Sequence, residues 1–240
     1  MDLPLDIKYK IASFDMDVWI RLSYIDDEFK RFSYGEGRKL FIDLFTVITK
    51  HNYGTSWKIF DKLHSFNDKP AIIYLNGEQR WIQNGKCHRD NDKPALICSN
   101  GIQHWYKNGK LHSDNGKPAI EYSNGSREWY QNGLLHRDND KPAIITLSDT
   151  KKWYQYGKLH RENDKPAVVY KSGQKEWYRN GELHRDNDNP AVLLSSGGKE
   201  WYQNGRRHRD GNLPAIILSN GQQEWYIYGK YQPHGQRVDD

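Results

Sequence analysis

Tryptophan recurs at 57, 81, 105, 129, 153, 177, 201 and 225, always 24 residues apart. Histidine keeps the same interval from His64 to His208, and a Pro-Ala pair keeps it from Pro70-Ala71 to Pro214-Ala215. Three series in one register, without insertions, define a tandem array. In such an array each unit contacts only its neighbours, so a single thick core is excluded. Composition agrees: only 36% of residues are hydrophobic and mean hydropathy is −1.00, yet aromatics reach 13%. Disordered chains are poor in aromatics, so a thin folded structure is expected, with apolar contacts supplied mostly by rings.

Each repeat holds two glycine turns. The first is usually Asn-Gly, as in Asn84-Gly85, and so is the second, as in Asn100-Gly101; one copy has Asp149-Thr150 at the second turn. Asn-Gly between short runs of β-formers is a strong hairpin signal, because a type I′ turn needs two residues at positive φ. Runs such as Ile144-Ile145-Thr146 follow each Pro-Ala, and proline suits a strand start. Between His and Pro, the loops exchange Asp, Asn and Gly (Asp90-Asn91-Asp92-Lys93, Asp114-Asn115-Gly116-Lys117), as a turn with positive φ would. Two strands per repeat are therefore expected, in an elongated antiparallel meander of roughly 70–80 Å. Trp and Tyr are adjacent, as in Trp129-Tyr130, so their rings are expected on opposite faces, each stacking on the next repeat.

The Gly-x-x-His spacing, the second glycine turn and the aromatic strand resemble MORN repeats, in the divergent form of giant DNA virus proteins. The resemblance covers roughly residues 52–232. The family has His-Gly where this chain has His88-Arg89, and a glycine-rich strand start where this chain has Pro-Ala. The resemblance implies an all-β repeat array that binds other molecules, with phosphoinositide or membrane-surface binding among the family's suggested roles.

Residues 1–50 carry no copy of the repeat and have net charge −1, against +6 for the remainder. Ile7, Ile11 and Phe14 fit one helical face, and Leu22, Ile25 and Phe29 another. Leu40, Phe41, Leu44 and Phe45 suggest a third helix. A small helical cap over the sheet edge near Trp57 is the plainer expectation. Leu3-Pro4-x-Asp6-Ile7, Ile11 and Leu22-x-x-Ile25-x-x-x-Phe29 also resemble an F-box across about residues 3–33. That family docks a Skp-type adaptor of cullin ubiquitin ligases. Asp26, Asp27 and Glu28 depart from its usual basic residues, and Phe29 from its usual Trp.

His-Arg-Asp at 88–90, 136–138, 184–186 and 208–210 matches the triplet of the kinase catalytic loop, but Asp-Phe-Gly and a phosphate loop are absent. A catalytic residue is needed once, whereas these recur with the fold. His is therefore read as capping the turn, with Arg and Asp pairing across it. Neighbouring copies of His lie about 10 Å apart, too far to share zinc at ~2 Å bonds. Asp90 and Asp92 are a poor calcium pair, since Gly116 and Asn212 replace the second acid elsewhere. No enzyme and no cofactor are expected. The predicted function is a protein-binding scaffold, with substrate recruitment for a ubiquitin ligase as its sharpest form. The candidate partner-binding residues are Leu3, Pro4, Ile7, Tyr106, Tyr130, Tyr154, Tyr178 and Tyr202. Membrane lipid or nucleic acid is the competing partner class, to be told apart by whether the ribbon carries a continuous basic stripe; the weak positive excess argues against nucleic acid. Two cysteines, no apolar stretch of membrane-spanning length and no signal-like start predict an intracellular, cytoplasmic protein.

Overall fold

A computed structural model describes residues 46–233, apart from 60, 61, 66 and 67. The described residues are all-β and contain no helix. They fall in two compact units, residues 46–99 and 100–233.

In the first unit, strand Thr46–His51 pairs antiparallel with Gly54–Ile59 from Thr46↔Ile59 to His51↔Gly54. Sequence reading placed residues 46–50 in the helical cap. They are strand because Thr46, Val47, Ile48 and Thr49 are four successive β-branched residues, which favour the pleated surface. The rest of the expected cap lies outside the described residues. Gly54–Ile59 also pairs with Ile72–Tyr74, which pairs with Gln79–Arg80, which pairs in turn with Leu96–Ile97. A separate hairpin joins Ile82–Gln83 to Lys86–Cys87. Ala71, Ile72 and Ile82 form the core, with Leu63, Tyr74 and Cys87 against them.

The second unit repeats the pattern. Its meander runs from Gln103–His104 through Ile120–Glu121, Arg127–Glu128 and Ile144–Ile145, and onward to Gln223–Ile227 and Lys230–Gln232. Side hairpins, such as Tyr130–Gln131 with Leu134–Leu135, stand apart from it. Each repeat thus holds four short strands where sequence reading expected two. Tryptophan is the crossing point. Trp129 N–H donates to Ala143 O at 2.8 Å on the meander side, and Trp129 O accepts from His136 N–H at 3.0 Å on the hairpin side. One residue serving both partners breaks the ladder at the indole.

The two glycine turns also differ. Asn132 and Gly133 have φ 53° and 88°, the pair of left-handed residues of a type I′ turn. In the other turn only Gly125 has positive φ (85°); its N–H donates to Tyr122 O at 2.9 Å, and Tyr122 N–H donates to Ser126 O at 3.0 Å. That is a type I turn closed by a glycine bulge. Asp149 takes the left-handed place at φ 58° in the copy without glycine.

The core is thin. Ala71, Ala95, Ala119, Ala143, Ala167, Ala191 and Ala215 are wholly buried, and among the described residues Val168 is the largest side chain fully enclosed. Proline sets the strand start and alanine lets the indole approach. The indoles of Trp81, Trp129, Trp153, Trp177 and Trp201 are buried, but their stacking partner is arginine rather than the next indole. Guanidinium carbons of Arg89, Arg137, Arg161, Arg185 and Arg209 lie 3.6–3.9 Å from the ring centroids. The reason is spacing: equivalent residues lie two strands apart, about 10 Å, beyond the reach of ring stacking.

Candidate functional site

Two systems of polar side chains follow from this geometry, one in the loops and one on the sheet. In the loops, the repeated His bridges its own turn to the next repeat. His136 Nε2 lies 3.0 Å from Asp138 Oδ1, while Nδ1 accepts the N–H of Tyr156 at 3.4 Å. His160 does the same with Glu162 (2.9 Å) and Asn180 N–H (3.1 Å), and His184 with Asp186 (3.0 Å) and Asn204 N–H (3.2 Å). An accepting Nδ1 requires the neutral tautomer with its proton on Nε2. Burial, then the charge of Arg179, push the His184 pKa down from its ordinary value. The ring is thus part of the scaffold, with both nitrogens occupied.

Arginine does not pair with the adjacent aspartate, as sequence reading expected, because His takes that carboxylate. It reaches back 21 residues. Arg161 Nε and Nη2 donate to Asp140 Oδ1 and Oδ2 at 2.7 and 3.2 Å, and Lys165 Nζ joins Oδ2 at 2.7 Å. These cations hold the Asp140 carboxyl at about 2. Arg185 and Arg209 fork in the same way onto Asp164 and Asp188. The same guanidiniums donate Nη1 to a proline carbonyl five residues on, as Arg161 does to Pro166 O at 3.2 Å.

The tyrosines chosen from sequence are half-buried in every copy: Tyr106, Tyr130, Tyr154, Tyr178 and Tyr202. Three have their hydroxyls engaged by a glutamate two residues earlier on the same face. Tyr130 donates to Glu128 Oε2 at 2.8 Å, Tyr178 to Glu176 at 3.1 Å and Tyr202 to Glu200 at 2.8 Å. Burial first, and the neighbouring carboxylate with it, push the Tyr130 and Tyr178 phenols well above their ordinary range. Tyr154 has Lys152 at the glutamate position. Leu3, Pro4 and Ile7 lie outside the described residues.

A second row was not singled out from sequence. Arg127 is directly opposite Ile145, Ile145 opposite Lys151, Lys151 opposite Val169, and Val169 opposite Lys175. Lys175 is opposite Leu193, and Leu193 opposite Lys199. Residues directly opposite in antiparallel strands share a face. One face therefore carries four cations, about 10 Å apart, with half-buried aliphatics between them. The next residue along three of these strands, Glu128, Glu176 or Glu200, points to the other face, but Lys151 is followed by Lys152, and Glu121 stands opposite Arg127 on the cationic face, so the separation of charge is partial. The signal was present in the sequence as Lys or Arg two residues before each of these tryptophans.

Among the described residues, no group of three or more His, Cys, Asp or Glu is arranged to hold a metal ion. No helix there is long and apolar enough to cross a membrane. Compared with protein-family models and with curated proteins, the chain matches none.

Proposed function

We propose that the repeat array is a non-enzymatic scaffold that binds an acidic protein partner along the face bearing Arg127, Lys151, Lys175 and Lys199. The observation that carries this reading is the register of that face. Lys151, Lys175 and Lys199 each stand between two aliphatics of the neighbouring strands, so three successive repeats offer the same cation-and-aliphatic unit to one extended ligand, and Arg127 begins the row between Glu121 and Ile145. Electrostatic steering speeds such an encounter and sets its orientation. The internally bonded His, Arg and Asp of the loops serve to hold the repeats in register. The MORN-like pattern and the F-box-like segment at residues 3–33 extend the proposal. In that form the array selects a substrate and Leu3, Pro4 and Ile7 engage a Skp-type adaptor, inside the cell.

The column is not a continuous basic stripe, since Glu121 stands opposite Arg127 and Asp149 lies 3.3 Å from Lys151, and this mixed charge favours the protein reading. The four cations taken alone favour a second one, an anionic lipid or nucleic-acid surface. The test compares the intact chain with a variant carrying Lys151→Glu, Lys175→Glu and Lys199→Glu. Crosslinking in cell extract, followed by measurement with each purified protein captured, should yield an acidic partner that the variant loses. Binding to vesicles rich in phosphatidylserine, or to single-stranded oligonucleotide, with no protein partner would replace the first reading by the second. Adaptor recruitment is measured separately, with a purified Skp-type adaptor and the Leu3→Ala, Pro4→Ala, Ile7→Ala variant. Failure of the intact chain to bind removes that extension.

A further inference from the structure

One loop of the array keeps its cations and lacks their carboxylate. Asp68 receives Arg89 Nε and Lys93 Nζ, each at 2.6 Å, and Asp140 receives Arg161 and Lys165 in the same manner. The residue 24 positions before Asp140 is Gly116, and Arg137 and Lys141 stand where Arg161 and Lys165 stand. Arg137 keeps the rest of the arrangement. Its guanidinium lies 3.6 Å from the Trp129 ring centroid, and Nη1 donates to Pro142 O at 3.2 Å. Among the described residues, its Nε and Nη2 and the Nζ of Lys141 have no carboxylate partner. Burial, with the charge of Arg127 added, pushes the Arg137 pKa down, which a paired carboxylate would oppose.

Backbone geometry does not demand glycine here. Gly116 has φ 70°, but Asp140, Asp164 and Asp188 occupy the matching left-handed place at φ 52–54° with full side chains. A Cβ added at Gly116 would meet nothing within 4 Å. The room is part of a cleft of about 290 Å³, lined by Trp129, Arg137, Lys141 and His136 among others. The two carboxylates on its rim are already engaged, Asp114 by Lys107 at 2.9 Å and His112 at 3.0 Å, Asp138 by His136 at 3.0 Å.

We propose that the cleft at Gly116 is a binding site for a carboxylate supplied from outside the chain, received by Arg137 and Lys141 as Asp140 is received by Arg161 and Lys165. A planar guanidinium held flat on an indole presents Nε and Nη2 as a fixed fork, the arrangement suited to bidentate carboxylate recognition. The inference deepens the acidic-partner reading: it gives one anchoring point for an Asp or Glu side chain of that partner.

The test follows the Arg137 Nε–H and Trp129 Nε1–H signals of the full chain by NMR. The probes are a terminally blocked Gly-Gly-Asp-Gly-Gly peptide, its Asn counterpart, acetate and inorganic phosphate. The Asp peptide and acetate should shift both signals saturably, in the millimolar range, and the Asn peptide should not. Gly116→Asp should abolish the shifts, move the Arg137 signal towards that of Arg161, and raise Tm. Lys141→Gln, at an exposed position, should weaken the Asp peptide by up to about fivefold without altering the fold. Acetate acting without the Asp peptide would keep the site and assign it to small carboxylates, overturning the partner anchor. Phosphate acting alone overturns the carboxylate assignment, and unmoved signals with every probe overturn the site. If the peptides fail while the charge-reversed column still loses its acidic partner, this inference falls and the scaffold reading stands.

Discussion

Replacing His136 by alanine should cost more than replacing His160, although the two rings make the same hydrogen bonds. Each loses a carboxylate contact and strands a backbone N–H from the following turn. The carboxylates of Asp138 and Glu162 are 70% and 67% exposed, so that contact contributes under about 1 kcal/mol. The stranded N–H costs about 1 kcal/mol, the low end, since the turn faces water. His160→Ala should therefore destabilise by about 1–2 kcal/mol. At His136 the following turn residue is Tyr156, whose ring stacks on the imidazole at 4.4 Å with 12° between planes. Tyr156 sits at φ 45°, an unfavourable conformation for a bulky residue, and Asn180 holds the same place with φ 51° and a side chain that tolerates it. Losing the stack adds about 0.5–1.5 kcal/mol, so His136→Ala should cost about 1 kcal/mol more than His160→Ala. Tyr156→Asn alone should be nearly neutral, because lost stacking is offset by relief of the turn. In its presence, His136→Ala should fall to the cost of His160→Ala. Repeat arrays unfold in parts, so native-state hydrogen exchange at the 156 and 180 amides is the proper assay. Equal costs for the two histidines, or no coupling between 136 and 156, would refute the reasoning.

Three other outcomes follow from the same contacts. Ala143→Val should destabilise by about 1–3 kcal/mol in denaturant unfolding, since Ala143 is wholly buried and both its N–H and C=O are bonded to neighbouring strands. Asp140 titrates at about 2 when folded against 3.8 ordinarily, so its stabilisation is present above pH 3.8 and is lost as pH falls towards 2. With 43% of its side chain exposed, that loss is about 1 kcal/mol after screening, and Asp140→Asn should remove the dependence in acid titration. Tyr130 and Tyr178 are shifted upward, so their contribution is present below pH 10 and disappears as pH rises through the folded value. Glu128→Gln should bring the Tyr130 phenol back down towards its ordinary range, read as phenolate absorbance, while burial keeps it from returning fully.

The 24-residue period, the glycine turns, the strand starts after Pro-Ala and the structural part of His were legible in the amino-acid sequence alone. Those features depend on preferences of single residues or neighbours: Asn and Gly accept positive φ, Pro limits the backbone before a strand, and recurrence implies a stacked array. Five other facts were settled only by tertiary structure. The indole splits each repeat between meander and side hairpin because its N–H and C=O serve different partners. Asn-Gly closes two different turns because the length of loop between paired strands selects the type. Arg161 passes over its neighbour Glu162 for Asp140, because His160 already holds that carboxylate and the folded register brings Asp140 to the guanidinium. The basic face of Arg127, Lys151, Lys175 and Lys199, and the unmatched cations beside Gly116, exist only once strands are set opposite one another. A repeat specifies its own backbone locally, but which side chains meet is decided between residues some 20 positions apart, where only the register of stacked copies can choose.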